Sequence, residues 1–496
     1  MVASPDRRSF LATSAALGFL NGLPTVSAAD AKLNANVVQF DPEIEPLVRL
    51  LEETPREKLL EEVGDRVKKG LPYRAVVAAL FLAGIRSVQP RPVGFKFHAV
   101  LVVNSAHLAS QSGPDRDRWL PIFWAIDTFK NSQAQNQKEG GWRMKPAGEL
   151  KLPVKPREAF AQAMDSWDVE AADAAVAACV RTASRDQLFD VFCRYGCRDF
   201  RDIGHKAIYV SNAFRLLETI GWRHAEPVLR SLAYALLAHE GDNPSKRDGA
   251  PDRSGRRNAE LVRKFKGGWE GGKPSPDASR DILAASRRAT DDEMSDKVVS
   301  LLGSGVSPRS VWDGLFLAGG EMLMRQPGIV GLHTLTTLNA LHHAYETAVG
   351  DDHVRKLLLL QAAAFMPQFL ERMKGGKLAN IEIDKLETPD DPFPVKDAAE
   401  IFAVLSKDKL SAARMAIGFL KAGPGSEREM IDAGRLLIFL KGTDAHDYKF
   451  STAVMEDYAH IAPEWRKQFL AASLFWMKGS GAADSPLVKR TRASVG

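Results

Sequence analysis

The pentapeptide Leu80-Phe81-Leu82-Ala83-Gly84 recurs 235 positions later as Leu315-Phe316-Leu317-Ala318-Gly319, and this repetition decides how the chain is read. At the same offset, without a gap, Arg74 meets Arg309, Val76 meets Val311 and Pro92 meets Pro327. His98 meets His333, Asn104 meets Asn339, and His107 meets His342. Gapless self-similarity of this kind marks an internal duplication. Around both copies, apolar residues return at three- and four-residue spacing, as in residues 354–360 and 229–237, which is the helical period. Alternating β-branched runs are scarce, and Val100-Leu101-Val102-Val103 is the best strand candidate. The expected fold is all-α, a bundle or toroid-like array of about four repeated helical units.

Each strong copy has a helix, a Gly/Pro turn, a histidine, a second helix, and an arginine opening a third apolar helix. His98 precedes Arg118 by 20 residues and His333 precedes Arg355 by 22. Two weaker copies fit the same frame. His446 precedes Arg466 by 20 residues, and Gly204-His205 lies 25 residues before Arg230. The units are placed near 71–130, 186–239, 306–373 and 425–478, within one large domain spanning 30–478. Polar, Gly/Pro-rich stretches at 131–158, 240–278 and 374–396 read as surface insertions or linkers, and 479–496 as a disordered tail.

Every unit sets one histidine just after a turn: His98, His205, His333 and His446. A ring of helical units can aim equivalent side chains at a shared axis, where converging imidazoles suit a first-row transition metal. Iron (Fe2+) is the leading choice, with zinc or copper as alternatives. The bland reading is that each histidine satisfies a helix start or an interhelical hydrogen bond. His107 and His342 lie nine residues beyond His98 and His333, about two and a half turns on, so they face the opposite side of a straight helix. They are assigned, with Asn104 and Asn339, to interhelical packing or to supporting the metal ligands from behind. Lys449, one turn after His446, is either a solvated lysine or a lysine held beside the ion. An ammonium would be repelled there, so the second role requires a neutral or carbamylated amine. Thr336 and Thr337, on the turn after His333, are candidates for contact with substrate or metal-bound water. Cys193 and Cys197 read as buried thiols.

Other classes are disfavoured. With 67 Lys+Arg against 62 Asp+Glu, the net charge of +5 implies no nucleic-acid partner. No Gly-x-Gly-x-x-Gly, phosphate loop, His-Glu-x-x-His, Gly-x-Ser-x-Gly or Cys-x-x-Cys-His motif occurs. A Rossmann enzyme, an NTPase, a zincin, an α/β-hydrolase and a c-type haem protein are therefore not expected.

The N-terminal residues 1–29 read as an export address. Arg7-Arg8-Ser9-Phe10-Leu11 carries paired arginines, the apolar stretch from Phe10 to Leu23 follows, and Val26-Ser27-Ala28 offers a small-residue cleavage site. This resembles a twin-arginine signal, with Ala12 where lysine is usual. It implies a twin-arginine translocase partner during export and a periplasmic or secreted location. The stretch is too short to be a stable membrane span.

Three short segments carry a family resemblance. Gly331-Leu332-His333-Thr334-Leu335-Thr336-Thr337 is similar to the His-Ala-Val-Thr stretch of questin oxidase-like proteins. Gly204-His205-Lys206-Ala207-Ile208 resembles that family's Gly-x-His-Pro-x-Ile-His, with Lys206 in place of proline and Tyr209 in place of the second histidine. Asp444-Ala445-His446-Asp447-Tyr448-Lys449 resembles its His-x-x-Lys. The resemblance covers about a tenth of the chain. It implies a helical fold, oxygen-dependent cleavage of aromatic rings, and His205, His333, His446 and Lys449 at the metal. The expected function is an exported non-haem iron oxygenase using O2 on a small apolar or aromatic substrate. The alternatives are a zinc-dependent hydrolase or lyase and a non-enzymatic helical-repeat binding protein.

Overall fold

The structure is a computed structural model that describes residues 36–148, 155–387 and 395–496; the proposed signal segment 1–29 lies outside the described residues. Among the described residues there are 22 α-helices and no strand, so the protein is all-α. One isolated bridge joins Lys273 and Val306. No described helix is long and apolar enough to cross a membrane.

Four helices form the centre: His98–Ser112, His205–Ile220, Ile329–Thr347 and Ala445–His460. The His98 helix packs on the His205 helix, that on the His333 helix, that on the His446 helix, and the last returns to the first. Each is flanked in sequence by two helices that pack on it. Tyr73–Ser87 and Trp119–Lys138 flank the first, and Arg185–Gly196 and Ala225–Leu236 the second. Pro308–Arg325 and Asp352–Met373 flank the third, and Pro424–Lys441 and Arg466–Ser473 the fourth.

The shared Leu-Phe-Leu-Ala-Gly motif acts through its glycine. A Cβ on Gly84 would stand 2.7 Å from Val100 Cγ2, and one on Gly319 would stand 3.0 Å from Leu335 Cδ2. Val100 and Leu335 are themselves equivalent under the 235-residue offset. The missing side chain lets the outer helix press directly on the inner one in both places.

Central helices have neighbours on all sides, and this corrects the strand expectation. Val100, Leu101, Val102 and Val103 belong to the His98 helix, where every residue from Ala99 to Ala106 is buried. A helix buried all round carries no polar stripe, so its apolar run lacks the helical period and imitates a strand. Other expectations change as well. The stretch 131–158 is not simply an insertion, because Trp119–Lys138 runs through its first part. Within 240–278, the helix Ala250–Leu261 packs inward, with buried Asn258 donating to Gln361 Oε1 at 2.8 Å. Arg230 does not open a helix; it lies inside Ala225–Leu236 and pairs with Asp173 at 2.8 Å. Residues 479–496 are not a disordered tail. Pro486–Val495 is a helix capped by Ser485, with Val488, Thr491 and Ser494 buried against the helix Arg56–Lys68. Arg492 and Arg490 hold it by ion pairs to Asp117 at 2.8 Å and Glu61 at 2.6 Å.

The His205 helix is anchored from behind by a buried charge pair. Lys206 Nζ donates to Asp199 Oδ2 and to the Ala238 carbonyl, each at 2.9 Å. Burial pushes the Lys206 ammonium down to about 8, even with Asp199 opposing that shift. Removing one partner of such a pair leaves an uncompensated buried charge. Asp199→Ala is expected to cost about 3–5 kcal/mol in urea unfolding. A loss below about 1 kcal/mol would show that water reaches Lys206.

A four-histidine candidate metal centre

His98, His205 and His446 stand in the first turn of their central helices and His333 one turn into its own, and a nearby oxygen fixes each ring. The Nδ1–H of His98 donates to the Phe95 carbonyl at 2.8 Å, and that of His333 to the Ile329 carbonyl at 2.7 Å. His205 Nδ1–H donates to the Asp202 carbonyl. His446 Nδ1–H donates to Asp444 Oδ1, while Asp444 also caps the same helix through the His446 backbone N–H at 2.8 Å. A carbonyl or carboxylate oxygen can only accept, so each clamp sets the tautomer with hydrogen on Nδ1. Each ring therefore turns Nε2 inward.

Those nitrogens converge. One nitrogen from each of His98, His205, His333 and His446 lies within 4.8 Å of all the others. His205 Nε2 stands 2.9 Å from both His98 Nε2 and His333 Nε2. Two acceptors at that distance have no proton to share once both Nδ1 atoms carry hydrogen. Protonation would supply one, but burial, and then the nearby Lys449, push His98, His205 and His333 well below the ordinary imidazole value. His446 Nε2 is buried without a partner. A group of four such histidines could bind a metal ion.

The turns that deliver two of these histidines are strained. Four described non-glycine residues have positive φ, and three precede cluster histidines: Phe95 at 47°, Asp202 at 52° and Ile203 at 46°. Gly204 follows at 83°. Backbone held in this region costs about 1–3 kcal/mol per residue and persists where packing over-determines it, often at functional sites.

The remaining candidates separate. Lys449 is not a solvated lysine: it is 2% exposed, and its Nζ has no hydrogen-bond partner. Burial pushes its ammonium down to about 7, with Asp444 opposing. Thr336 is also buried, with an unpartnered Oγ1, and shares a cavity wall with Lys449. Thr337 is placed differently: its hydroxyl donates to the Ile203 carbonyl at 3.3 Å, so it braces the turn before His205. His107 lies away from the cluster, with Nδ1 3.0 Å from Tyr73 Oη. His342 meets Trp312 and His460 edge-to-face, with ring centroids 4.9 Å away in each case. Cys179, Cys193 and Cys197 are free and buried.

The clamps were missed in the sequence. Asp444 could have been found, since Asp two residues before His446 at a helix start is a capping signal. The carbonyl clamps of Phe95 and Asp202 depend on turn geometry that residue types do not encode.

The buried imidazoles also give the fold an acid limit. His342 and His343 are pushed down to about 3 and about 2, chiefly by burial, and three cluster histidines shift the same way. Unfolded imidazoles titrate near 6.5. The unfolded chain therefore binds the extra protons below that value, and the stability present above pH ~6.5 drains as pH falls. Asp190 and Asp313, raised to about 6 by burial, and Asp457, raised further, act in the opposite sense. The imidazoles outnumber them. The metal-free protein should lose stability from pH ~6.5 to ~5 with a slope of roughly two protons in urea titrations. A flat profile would mean that the histidines are solvated.

No protein-family model, curated protein or solved structure matches this chain.

Proposed function

We propose that this protein is a metal-dependent oxidoreductase, a mononuclear non-haem iron oxygenase in which His98, His205, His333 and His446 hold Fe2+. The observation that carries the reading is the facing of unprotonated Nε2 atoms at 2.9 Å. Nitrogens bound at about 2.0–2.1 Å and 90° to one another lie about 2.9 Å apart, whereas a tetrahedral ion spreads them to about 3.3 Å. The spacing thus favours the higher-coordinate geometry of iron, with positions left for O2 and substrate, over tetrahedral zinc.

Four imidazoles bring no negative charge, and the N-terminal ends of four helices point toward the ion. Both features call for an anionic oxygen ligand. Lys449 can supply it. Its neutral amine adds to CO2 as a C=O electron pair moves to oxygen and one N–H proton leaves to water, giving a carbamate. Otherwise it serves as the neutral amine itself. An apolar or aromatic substrate would meet the ion at the helix N-terminal face. Phe95 and Ile329, which clamp His98 and His333, are 75% and 46% exposed there. The similarity to questin oxidase-like proteins at His205, His333, His446 and Lys449 supports the same reading. Export through the twin-arginine route is part of the proposal, and Arg7→Lys with Arg8→Lys should retain the protein in the cytoplasm.

Metal analysis of protein purified from its native compartment is the test. About one iron per chain, with O2 consumption on adding a phenolic substrate, is the expected result. Zinc instead would point to a hydrolase or lyase. No metal would leave a helical binding protein with structural histidines.

A further inference from the structure

Below the imidazoles a narrow cavity lies along the axis of the central helices, about 20 Å3 in volume, room for about one water molecule. Its inner end is formed by Thr336 and Lys449, three residues beyond His333 and His446 on their helices. They are 4% and 2% exposed, and neither Oγ1 nor Nζ has a partner. About a turn further from the rings, Asn104, Asn212 and Asn339 line the wall. Asn104 Nδ2 donates to Asn212 Oδ1 at 3.2 Å, and Asn339 Nδ2 to Glu456 Oε2 at 2.8 Å. Leu108, Thr452 and Glu456, at the outer end, are half-buried, so the lining grades from enclosed to solvent-touched with distance from the histidines. Arg215 and Glu456 pair across this end at 2.7 Å, so the wall is polar without net charge.

We propose that this cavity is a second inlet, opening away from Phe95 and Ile329, through which small molecules of one to three heavy atoms, such as water and CO2, reach Lys449. An amine with no protein partner at the blind end of a polar, neutral cavity is satisfied by water, and what replaces that water must be small. A bulky apolar substrate fits neither the width nor the lining. The two mouths therefore divide the traffic. The inference rests on the placement of Lys449 beside the cluster and stands whether or not a metal is bound.

Cyanate tests it on the full chain. Isocyanic acid adds across a neutral amine without a leaving group, and the carbamoylated lysine survives digestion for mass spectrometry. In the intact, metal-stripped protein, isocyanic acid should label Lys449. Thr452→Leu, which narrows the half-exposed outer end, should slow labelling at least tenfold at unchanged melting temperature. Ala340→Leu, which fills the wall deeper in, provides a second plug should the first unfold the protein. Phe95→Trp, at the opposite mouth, should leave the rate unchanged. Labelling of the metal-stripped protein that ignores both plugs, that is slowed by Phe95→Trp, or that never reaches Lys449, overturns the proposal. Because the measurement needs no metal, an empty histidine site would count against the oxygenase alone.

Discussion

His333→Ala is expected to empty the metal site, while His107→Ala leaves it filled. The two residues are both histidines on central helices, and the contrast isolates geometry from composition. His333 is wholly buried, is clamped at Nδ1 by the Ile329 carbonyl, and turns Nε2 to within 2.9 Å of His205 Nε2. On the proposed reading, its loss removes a ligand and one side of the enclosure. Even the outer partners of metal ligands change affinity 10–100-fold when removed, so a direct ligand should cost on the order of 100-fold or more. His107 instead touches Tyr73 Oη and Thr219 Oγ1, at 3.0 and 3.3 Å. Its replacement leaves those hydroxyls under-satisfied, at about 1–3 kcal/mol of stability, with no ligand lost. Iron titration followed by metal quantification reads the difference. Equal metal loss in both variants would show that fold integrity, not ligation, controls occupancy. Retention in both would place the ion elsewhere.

The four stations were legible because each depends on a local pattern, a turn, then a histidine, then a helix. The strong 235-residue offset paired His98 with His333, which stand on helices separated on both sides by the His205 and His446 helices. Helix phase was enough to set His107 and His342 aside, since a half-turn rotation survives any packing. Phase also put Lys449 on the face of His446, but not its burial, because a lysine one turn into an amphipathic helix is ordinarily solvated. What closes over Lys449 comes from the Ile329–Thr347 and His98–Ser112 helices, more than 100 residues away in sequence. Thr336 and Thr337 were indistinguishable as residue types. Their roles part because successive residues on a helix point about 100° apart, one toward the cavity and one toward the turn of the neighbouring unit. The docked helix Pro486–Val495 was hidden by its small and charged residues, which bury little apolar surface and rely on Gly64 for close approach.

Gly204→Ala should damage the site more than the fold. Gly204 sits at φ +83°, after Asp202 and Ile203 at 52° and 46°, and immediately precedes His205. The left-handed conformation alone costs an alanine about 1–2 kcal/mol. A Cβ there would also collide with Thr337 Oγ1, and would stand 2.5 Å from Thr337 Cγ2 and 2.9 Å from its Cβ. Overpacking of this kind adds about 1–3 kcal/mol, for a total of about 2–5 kcal/mol. The strain can be relieved only by moving the turn or the His333 helix. Either motion displaces a histidine of the cluster, because the Asp202 carbonyl in that turn clamps His205. Gly221→Ala is the control: it too has positive φ, at 111°, but its Cβ would meet only the mobile end of Arg74, at 3.3 Å. It should pay the conformational cost and keep the metal. Adding Thr337→Ala to Gly204→Ala removes Oγ1 and Cγ2 but not the 2.9 Å contact, so the pair should recover part of the lost affinity. Urea unfolding and iron affinity measured together decide the matter. If Gly204→Ala and Gly221→Ala lose iron equally, the close approach of Thr337 does not hold His205 in place, and the brace between neighbouring units has no part in shaping the centre.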